Sequence, residues 1–364
     1  MMKKIKENFS PNVPYNDLPL LPPEKAQYET VNVWKKESEV RTAVGELKGI
    51  AQIIPNQTIL INAVVLQEAK DSSEIENIIT TQDKLYKAVS TKQKNIVDPS
   101  TKEVINYRKA LYEGFDRIKR NGFLRVNDIL DLQEIIVENN AGIRKTPGTA
   151  LVNDKTGQTI YTPPNDEDVI NKLLSNFIEY INNQDSSLIK MAIAHYQFET
   201  IHPFYDGNGR TGRIINILYI ILKEYLDIPI LYLSSFIINN KEEYYRFISN
   251  VTKQNAWEEW ILYILNGIEI TARETIGKIK KIKSLMDKTI ENVKQNAGSI
   301  YSKELVETLF VHPYCKNKFI IDELKVERKA ASRYLHKLED IGILKSYKVG
   351  KENIYINIQL MQIL

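Results

Sequence analysis

The sequence predicts a mostly α-helical protein with a single β-hairpin and a smaller C-terminal domain. Three observations carry that expectation. Apolar residues recur at helical spacing from about residue 26 to residue 293, in stretches too long for strands. Strand-like composition around an Asn/Asp/Gly turn interrupts them once, between residues 142 and 164. Beyond Gln295-Asn296-Ala297-Gly298-Ser299, a linker by composition, three short helical patterns precede two strand patterns.

The chain has 364 residues, enough for two or three domains. Hydrophobic content of 43% with 26% charged residues is that of an ordinary soluble globular protein. A net charge of +3 selects no partner by bulk electrostatics. The single cysteine, Cys315, excludes an internal disulfide and argues against a thiolate metal site. His195, His202, His312 and His336 lack metal-ligand spacing. No apolar h-region follows Met1-Met2-Lys3-Lys4-Ile5-Lys6, so no signal peptide is expected. The longest largely apolar run, Ile214 to Leu222, is too short to span a bilayer. The expected location is therefore cytoplasmic, with no membrane partner.

Prolines at 11, 14, 19, 22 and 23 make residues 9–24 an extended arm. Tyr15, Leu18, Leu20 and Leu21 within it imply that the arm packs along the body. Residues 26–53 and 57–70 read as helices, the second with Ile59, Ile61, Val64, Val65 and Leu66 on a broad apolar side. Residues 71–78 read locally as a fresh helix start, because Ser73 and Glu76 have capping-box spacing. Helices are expected near 82–92, 102–121 and 126–139. The hairpin strands are 149–152 and 158–162, and a lone hairpin must pack on something to persist. Asn165-Asp166-Glu167-Asp168 opens a helix with acids at its positive end. On the next helix, 187–202, His195 and Glu199 form a structural pair by their spacing of four. An apolar helix at 214–226 reads as buried. Leu231 to Ser235 is a connector, and in the helix at 239–252 Tyr244 and Tyr245 read as aromatic core rather than ligand contacts. The pattern from Ala256 to Val293 is core in its first half. Its second half, with Lys278-Ile279-Lys280-Lys281-Ile282-Lys283, is basic and amphipathic and reads as a helix joining domains; binding to a membrane surface is its lesser reading.

The chemistry concentrates in His202-Pro203-Phe204-Tyr205-Asp206-Gly207-Asn208-Gly209-Arg210-Thr211-Gly212-Arg213. Pro203 ends the preceding helix at His202 and leaves an imidazole at the loop mouth. Gly207 and Gly209 permit positive φ and let backbone N–H groups converge with those of the next helix start, a concavity suited to phosphate. Asp206 is a hard oxygen ligand suited to Mg²⁺. Arg210 and Arg213, three apart, share a helix face and together suit a polyphosphate. Phe204 packs under the loop. The run is neither a Walker A loop nor G-x-G-x-x-G after a strand.

This run resembles the signature of the Fic (Fido) family, H-P-F-x-[D/E]-G-N-G-R-x-x-R, and matches it at every fixed position. Ser72-x-x-x-Glu76-Asn77 resembles the inhibitory motif [S/T]-x-x-x-[E/D]-[G/N] of Fic proteins, here N-terminal to the signature. The resemblance implies a Fic helical core over 101–270 with the 142–164 hairpin as a flap that aligns a target segment by strand pairing. Residues 1–100 would hold the arm and the inhibitory helix, and 271–299 the connecting helix and linker. It implies transfer of AMP from ATP to a Ser, Thr or Tyr hydroxyl of a target protein, itself included. His202 would be the general base, Asp206 the Mg²⁺ ligand, and Gly207, Asn208 and Gly209 the phosphate cradle. Arg210 would meet the β-phosphate and Arg213 the γ-phosphate, with Glu76 pairing with Arg213 and blocking the γ-phosphate seat. Tyr205 and Thr211 fall at variable positions and receive no role. Relief of that block would require the N-terminal helix to move, which makes a homodimer relevant, although no residue marks an interface.

Residues 300–364 look like a winged helix: helices at 302–310, 318–324 and 327–341, then strands at 343–347 and 353–358 turning at Gly350. Arg328, Lys329, Arg333 and Lys337 could contact DNA, but Glu327, Glu339 and Asp340 dilute them, so DNA is the less favoured partner. Other readings stay open: phosphoryl or UMP transfer, AMP removal with Glu76 positioning a water, a toxin restrained by its own helix, or a winged-helix transcription regulator.

Overall fold

The structure, a computed structural model, describes residues 9–90, 97–152, 156–349 and 352–364. The lysine-rich start of the chain, on which the signal-peptide expectation rests, lies outside them, as does Gly350. The arm packs along the body as expected. Leu18 and Leu21 are buried, Tyr15 N–H donates to Thr162 O at 3.0 Å, and the backbone of Leu21 is bonded on both sides to the Asn176 amide.

Helix α1 (Val31–Ala51) starts on Thr30, whose hydroxyl accepts from Val33 N–H. Helix α2 (Gln57–Ile75) starts on Asn56 in the same way. The fresh helix start expected at 71–78 is absent: α2 continues unbroken through Lys70 and Asp71 to its end at Ile75. No glycine or proline interrupts Lys70 to Ile75, and Ser72 and Ser73 are fully buried. Ser73 and Glu76 therefore close a helix instead of opening one. Asn77 ends it by taking φ 62°, and Ser73 O accepts from both Glu76 N–H and Ile78 N–H. Asn tolerates that left-handed conformation better than most residues.

Further helices are α3 (Gln82–Ser90), α4 (Pro99–Asn121) and α5 (Val126–Val137). The hairpin, β1 (Leu151–Val152) with β2 (Thr159–Tyr161), is antiparallel. It is anchored by Tyr161, whose buried hydroxyl donates to Thr200 O at 2.8 Å. Then come α6 (Glu167–Asn182), α7 (Leu188–Ile201), α8 (Asn208–Leu222), α9 (Ser234–Asn239), α10 (Lys241–Gln254) and α11 (Trp257–Asn296). Every residue of α7 except Glu199 is buried, and α8 is nearly as enclosed, by α2, α4, α5 and α7. The loop between these two central helices is held on both sides by core.

Helix α1 lies along α11. The apolar stripe of the basic half of α11, including Ile276, Ile279, Ile282 and Met286, is buried. It is thus not free for a membrane surface, which overturns that lesser reading. Among the described residues no helix is long and apolar enough to cross a membrane.

The C-terminal region comprises α12 (Lys303–Val311), β3 (Tyr314–Cys315), α13 (Asn317–Leu324), α14 (Arg328–Asp340), β4 (Lys345–Val349), β5 (Glu352–Ile356) and α15 (Ile358–Met361). Its sheet has three strands in the order β3-β5-β4, not the two expected. Two residues, Tyr314 and Cys315, are too short a strand for alternation to reveal. The last strand stops at Ile356, because Asn357 caps α15 through Leu360 N–H. Helix α12 packs on α2. Asn62 of α2 donates to Val311 O at 3.2 Å while accepting from Arg108 and Tyr112 of α4.

Gly267, within α11, lets α9 approach. A Cβ there would lie 2.5 Å from Phe236 Cδ1 and 2.8 Å from Leu233 Cδ1. Gly267→Ala should destabilise the protein by about 1–3 kcal/mol through overpacking, despite alanine's better helix propensity. The measurement is the shift in urea midpoint, and an unchanged or raised midpoint would refute the close-approach reading.

Candidate functional site

Helix α7 ends at Ile201, and His202 takes φ 49°, its N–H closing on Phe198 O at 3.1 Å. The imidazole is partly exposed at the loop mouth, with Nδ1 buried and without a hydrogen-bond partner among the described residues. Burial, and then the nearby Arg144 charge, lower its pKa to about 4, so the ring is neutral near pH 7.

Below the ring the loop is clamped from inside. Phe204 is fully buried. The Asn208 amide accepts from Phe204 N–H and donates to Phe204 O, both at 2.8 Å. The Asn208 side chain, expected to cradle phosphate, is therefore committed to the loop, and only its backbone N–H is available to a ligand. Gly207 has φ 79° and precedes α8, which begins at Asn208 rather than Ile214. Asn208, Gly209 and Arg210 accordingly form the first helical turn, whose N–H groups have no intrahelical acceptor. Gly209 is helical, contrary to the expected positive φ. Its small size has another use: a Cβ there would stand 2.6 Å from Glu76 Oε1.

Asp206 is 71% exposed, and its Oδ1 accepts from Gly207 N–H at 2.6 Å and Arg210 Nη2 at 3.2 Å. Among the described residues no group of three or more His, Cys, Asp or Glu is placed to hold a metal. One exposed carboxylate fits Mg²⁺ shared with substrate phosphates and water, and does not fit an all-protein cage.

Glu76 at the end of α2 reaches across to both arginines. Its Oε1 accepts from Arg213 Nη2 at 2.8 Å and its Oε2 from Arg210 Nε at 2.9 Å. Ser72, one turn earlier, takes Arg213 Nε on its hydroxyl at 2.7 Å and Arg213 Nη2 on its carbonyl at 2.8 Å. The sequence reading paired Glu76 with Arg213 alone; the contact to Arg210 is additional. Asn77 makes no contact with the arginines, and its part is to stop the helix that delivers Glu76.

Three residues emerge only in three dimensions. Arg144, buried at the flap stem, donates from Nε to His202 O at 2.7 Å and from Nη2 to Ile201 O at 3.3 Å and to Pro164 O. It thus ties both flap stems to the loop mouth. Tyr205, given no role from sequence, accepts from Lys145 N–H at 2.9 Å and Thr146 N–H at 3.3 Å, adding a second tie. Glu103 of α4 pairs with Arg210 Nη1 at 2.7 Å. Arg144 and Glu103 are isolated residues distant in sequence from the loop, and Tyr205, although inside the His202–Arg213 run, occupies a variable position, so no local pattern marks any of the three.

His195 and Glu199 approach to only 3.9 Å. Burial lowers His195 to about 3 and raises Glu199 to about 7, with Arg213 pulling Glu199 back. With a neutral imidazole they are core neighbours and no ion pair. Tyr244 is core, its hydroxyl 3.0 Å from His195 Nε2, whereas Tyr245 is exposed, against the reading of both as core.

The fold and site thus define a helical protein with an anion-binding helix start, two convergent guanidiniums and a neutral imidazole. Three family models match: Fic/DOC family N-terminal over residues 34–116, Fic/DOC family over 123–220, and the C-terminal domain of protein adenylyltransferase SoFic-like over 285–360. The chain belongs to the Fic family. Among similar proteins is "Protein adenylyltransferase fic-1" of Caenorhabditis elegans, 27% identical over 124 residues, covering 33% of this chain and 23% of that protein. "Protein adenylyltransferase Fic" of Nematostella vectensis is 27% identical over 168 residues, covering 43% and 37% respectively. The chain thus spans well under two thirds of these relatives. In fold it resembles a Fic family protein from Desulfovibrio desulfuricans, with a TM-score of 0.58, 18% identity and 90% and 96% of the two chains covered. It also resembles Fic-1 (residues 134–508) of C. elegans, with a TM-score of 0.54, 21% identity and 68% and 74% covered.

Asn208→Ala would strip both hydrogen bonds from the buried Phe204 peptide groups. It should cost about 3 kcal/mol of stability, since each orphaned buried group costs roughly 1–3 kcal/mol. Chemical denaturation measures this, and a loss below 1 kcal/mol would show that the amide is not the clamp.

Proposed function

We propose that the protein transfers AMP from ATP to a hydroxyl of a protein substrate and that Glu76 inhibits it. The observation that carries this reading is the Glu76 carboxylate itself. An anion already sits between Arg210 and Arg213 at the start of α8, on the same loop as a neutral imidazole. A triphosphate presents the same charge to the same guanidiniums. The relatives named protein adenylyltransferase support the choice of AMP as the group transferred.

In this reading the α8 N–H groups of Asn208, Gly209 and Arg210 and the Gly207 backbone cradle the phosphates. Arg210 meets the β-phosphate and Arg213 the γ-phosphate. His202 accepts the proton of the incoming Ser, Thr or Tyr hydroxyl. The hydroxyl oxygen bonds to the α-phosphorus, the bond from that phosphorus to the bridging α–β oxygen breaks, and pyrophosphate leaves with the pair. Asp206 would hold Mg²⁺, which neutralises phosphate charge when bound. Glu76 blocks the γ-phosphate seat, held there by Ser72 and by the helix end that Asn77 sets.

We divide the chain into an N-terminal arm and inhibitory helix (1–100), a catalytic core (101–270), a connecting helix and linker (271–299) and a winged helix (300–364). The order helix, strand, helix, helix, then the β4–β5 hairpin supports the last assignment. The cations of α14 are exposed, and a protein contact remains favoured over DNA.

The direct test uses ATP labelled at the α or γ position, with Mg²⁺, wild type, Glu76→Gly and Glu76→Gly/His202→Ala. Self-labelling from the α position only, raised at least about tenfold by Glu76→Gly and abolished in the double variant, is expected; about 1.4 kcal/mol corresponds to tenfold. Label from the γ position would mean phosphoryl transfer and overturn the donor assignment.

A pH profile gives a second check. Because the His202 pKa is lowered to about 4, its proton is already off at neutral pH. The acid limb of kcat/KM for Glu76→Gly should lie below about pH 5 instead of near 6.5. Glu76 raises the His202 pKa, so removing it moves the limb further down. A limb at 6–7 would show that His202 is not held neutral by its surroundings.

A further inference from the structure

Arg210 is 1% exposed, and each of its nitrogens faces a carboxylate. Nε meets Glu76 at 2.9 Å, Nη2 meets Asp206 at 3.2 Å and Nη1 meets Glu103 at 2.7 Å. In the proposed reaction Glu76 has to withdraw before a polyphosphate enters, and Asp206 turns to the cation. Glu103 has no such part. It belongs to α4, which packs on α5, on α8 and on the body of α2 through Asn62 and Glu68, so displacing only the last turn of α2 leaves it in place.

The guanidinium is planar, and its donors form a rigid fork. Nε and Nη2 share one edge of that fork, and Nη1 lies off it. A carboxylate gripping Nη1 therefore fixes the plane without covering the edge that two phosphate oxygens would engage. The charge balance agrees. With Glu76 withdrawn, Arg213 loses the one carboxylate in direct contact with it among the described residues and is left with the field of Glu199, while Arg210 keeps the direct ion pair to Glu103.

We propose that Glu103 is a positioning residue: its ion pair with Nη1 of Arg210 sets the guanidinium so that the Nε/Nη2 edge meets the β-phosphate of the nucleotide. This rests on the nucleotide reading of the site. Arg213, held by Ser72 and Glu76, is the switched member of the pair, and Arg210 is the preset one.

The test places Glu103→Ala and Glu103→Gln in the Glu76→Gly background. Titration calorimetry with Mg²⁺ then measures binding of ATP, ADP and AMP. AMP lacks the β-phosphate and serves as the internal control. Glu103→Ala should raise the Kd of ATP and ADP about tenfold, the size expected for removing a group that orients a ligand-binding side chain, and leave AMP unchanged. Glu103→Gln, which keeps an acceptor for Nη1, should recover to within about twofold, since most of the orientation comes from the hydrogen bond. Equal weakening of all three nucleotides would reduce Glu103 to a fold residue. Tighter ATP binding by Glu103→Ala would make it a rival for the guanidinium, and no change would leave it without a part; each overturns the proposal. If Glu76→Gly itself binds none of the three, the nucleotide reading fails and this proposal falls with it.

Discussion

Two arginine side chains with 1% and 4% exposure sit at the start of one buried helix, and the whole site follows from how their charge is met. An uncompensated buried guanidinium is costly, and removing one partner of a buried pair typically costs about 3–5 kcal/mol. The chain meets that demand with Glu76, which takes one arginine on each carboxylate oxygen. The same demand defines the ligand: whatever displaces Glu76 has to be an anion with at least two oxygens spaced for two guanidiniums. In the proposed function, inhibitor and substrate would compete for this one electrostatic vacancy, which burial of the two guanidiniums creates.

Burial also sets the protonation state of His202, the proposed base. His202 lies at the end of a helix that is almost wholly core, and Arg144 holds its carbonyl from the flap side. Desolvation and that positive charge act in the same direction on the imidazole. A weakly basic but fully deprotonated ring suits a base that must accept a proton only once the hydroxyl is committed to phosphorus. Arg144 and Tyr205 tie the flap stems to this loop, so the surface on which a target strand would lie and the group that would take its proton form one mechanical unit.

Much of this was legible in the chain. The signature run carried its own chemistry, because proline, glycine and paired arginines have local consequences that need no tertiary context. The long amphipathic helices and the lone hairpin were equally plain. What escaped were contacts made across sequence distance. Glu103 is one acid on an amphipathic helix, and nothing nearby distinguishes it from Glu113. Arg144 is one basic residue in a loop. The capping-box spacing of Ser73 and Glu76 misled because spacing alone cannot tell a helix start from a helix end; burial of Ser72 and Ser73 decided it. In the sequence Gly209 looks like a turn glycine, whereas in the fold its lack of a side chain makes room for Glu76.

The position of Glu76 at the C-cap of α2 constrains how it can leave. Within α2, Ile59, Leu60, Val64, Val65, Leu66 and Ala69 are buried, and Asn62 bonds to α4 and to the end of α12. Withdrawing the whole helix would expose that apolar surface at about 25 cal/mol per Å² and break the Asn62 contacts as well. Unwinding the last turn beyond Ser72 exposes chiefly Ile75 and gives up few backbone bonds, among them the contact from Lys241 Nζ to Ile75 O. For the proposed release of Glu76, the ordering of these costs favours movement at the end of α2, with the body of the helix held against α4 and α12. In the proposed release Arg213 loses the Glu76 carboxylate and keeps the neutral Ser72 groups, whereas Arg210 keeps the Glu103 carboxylate.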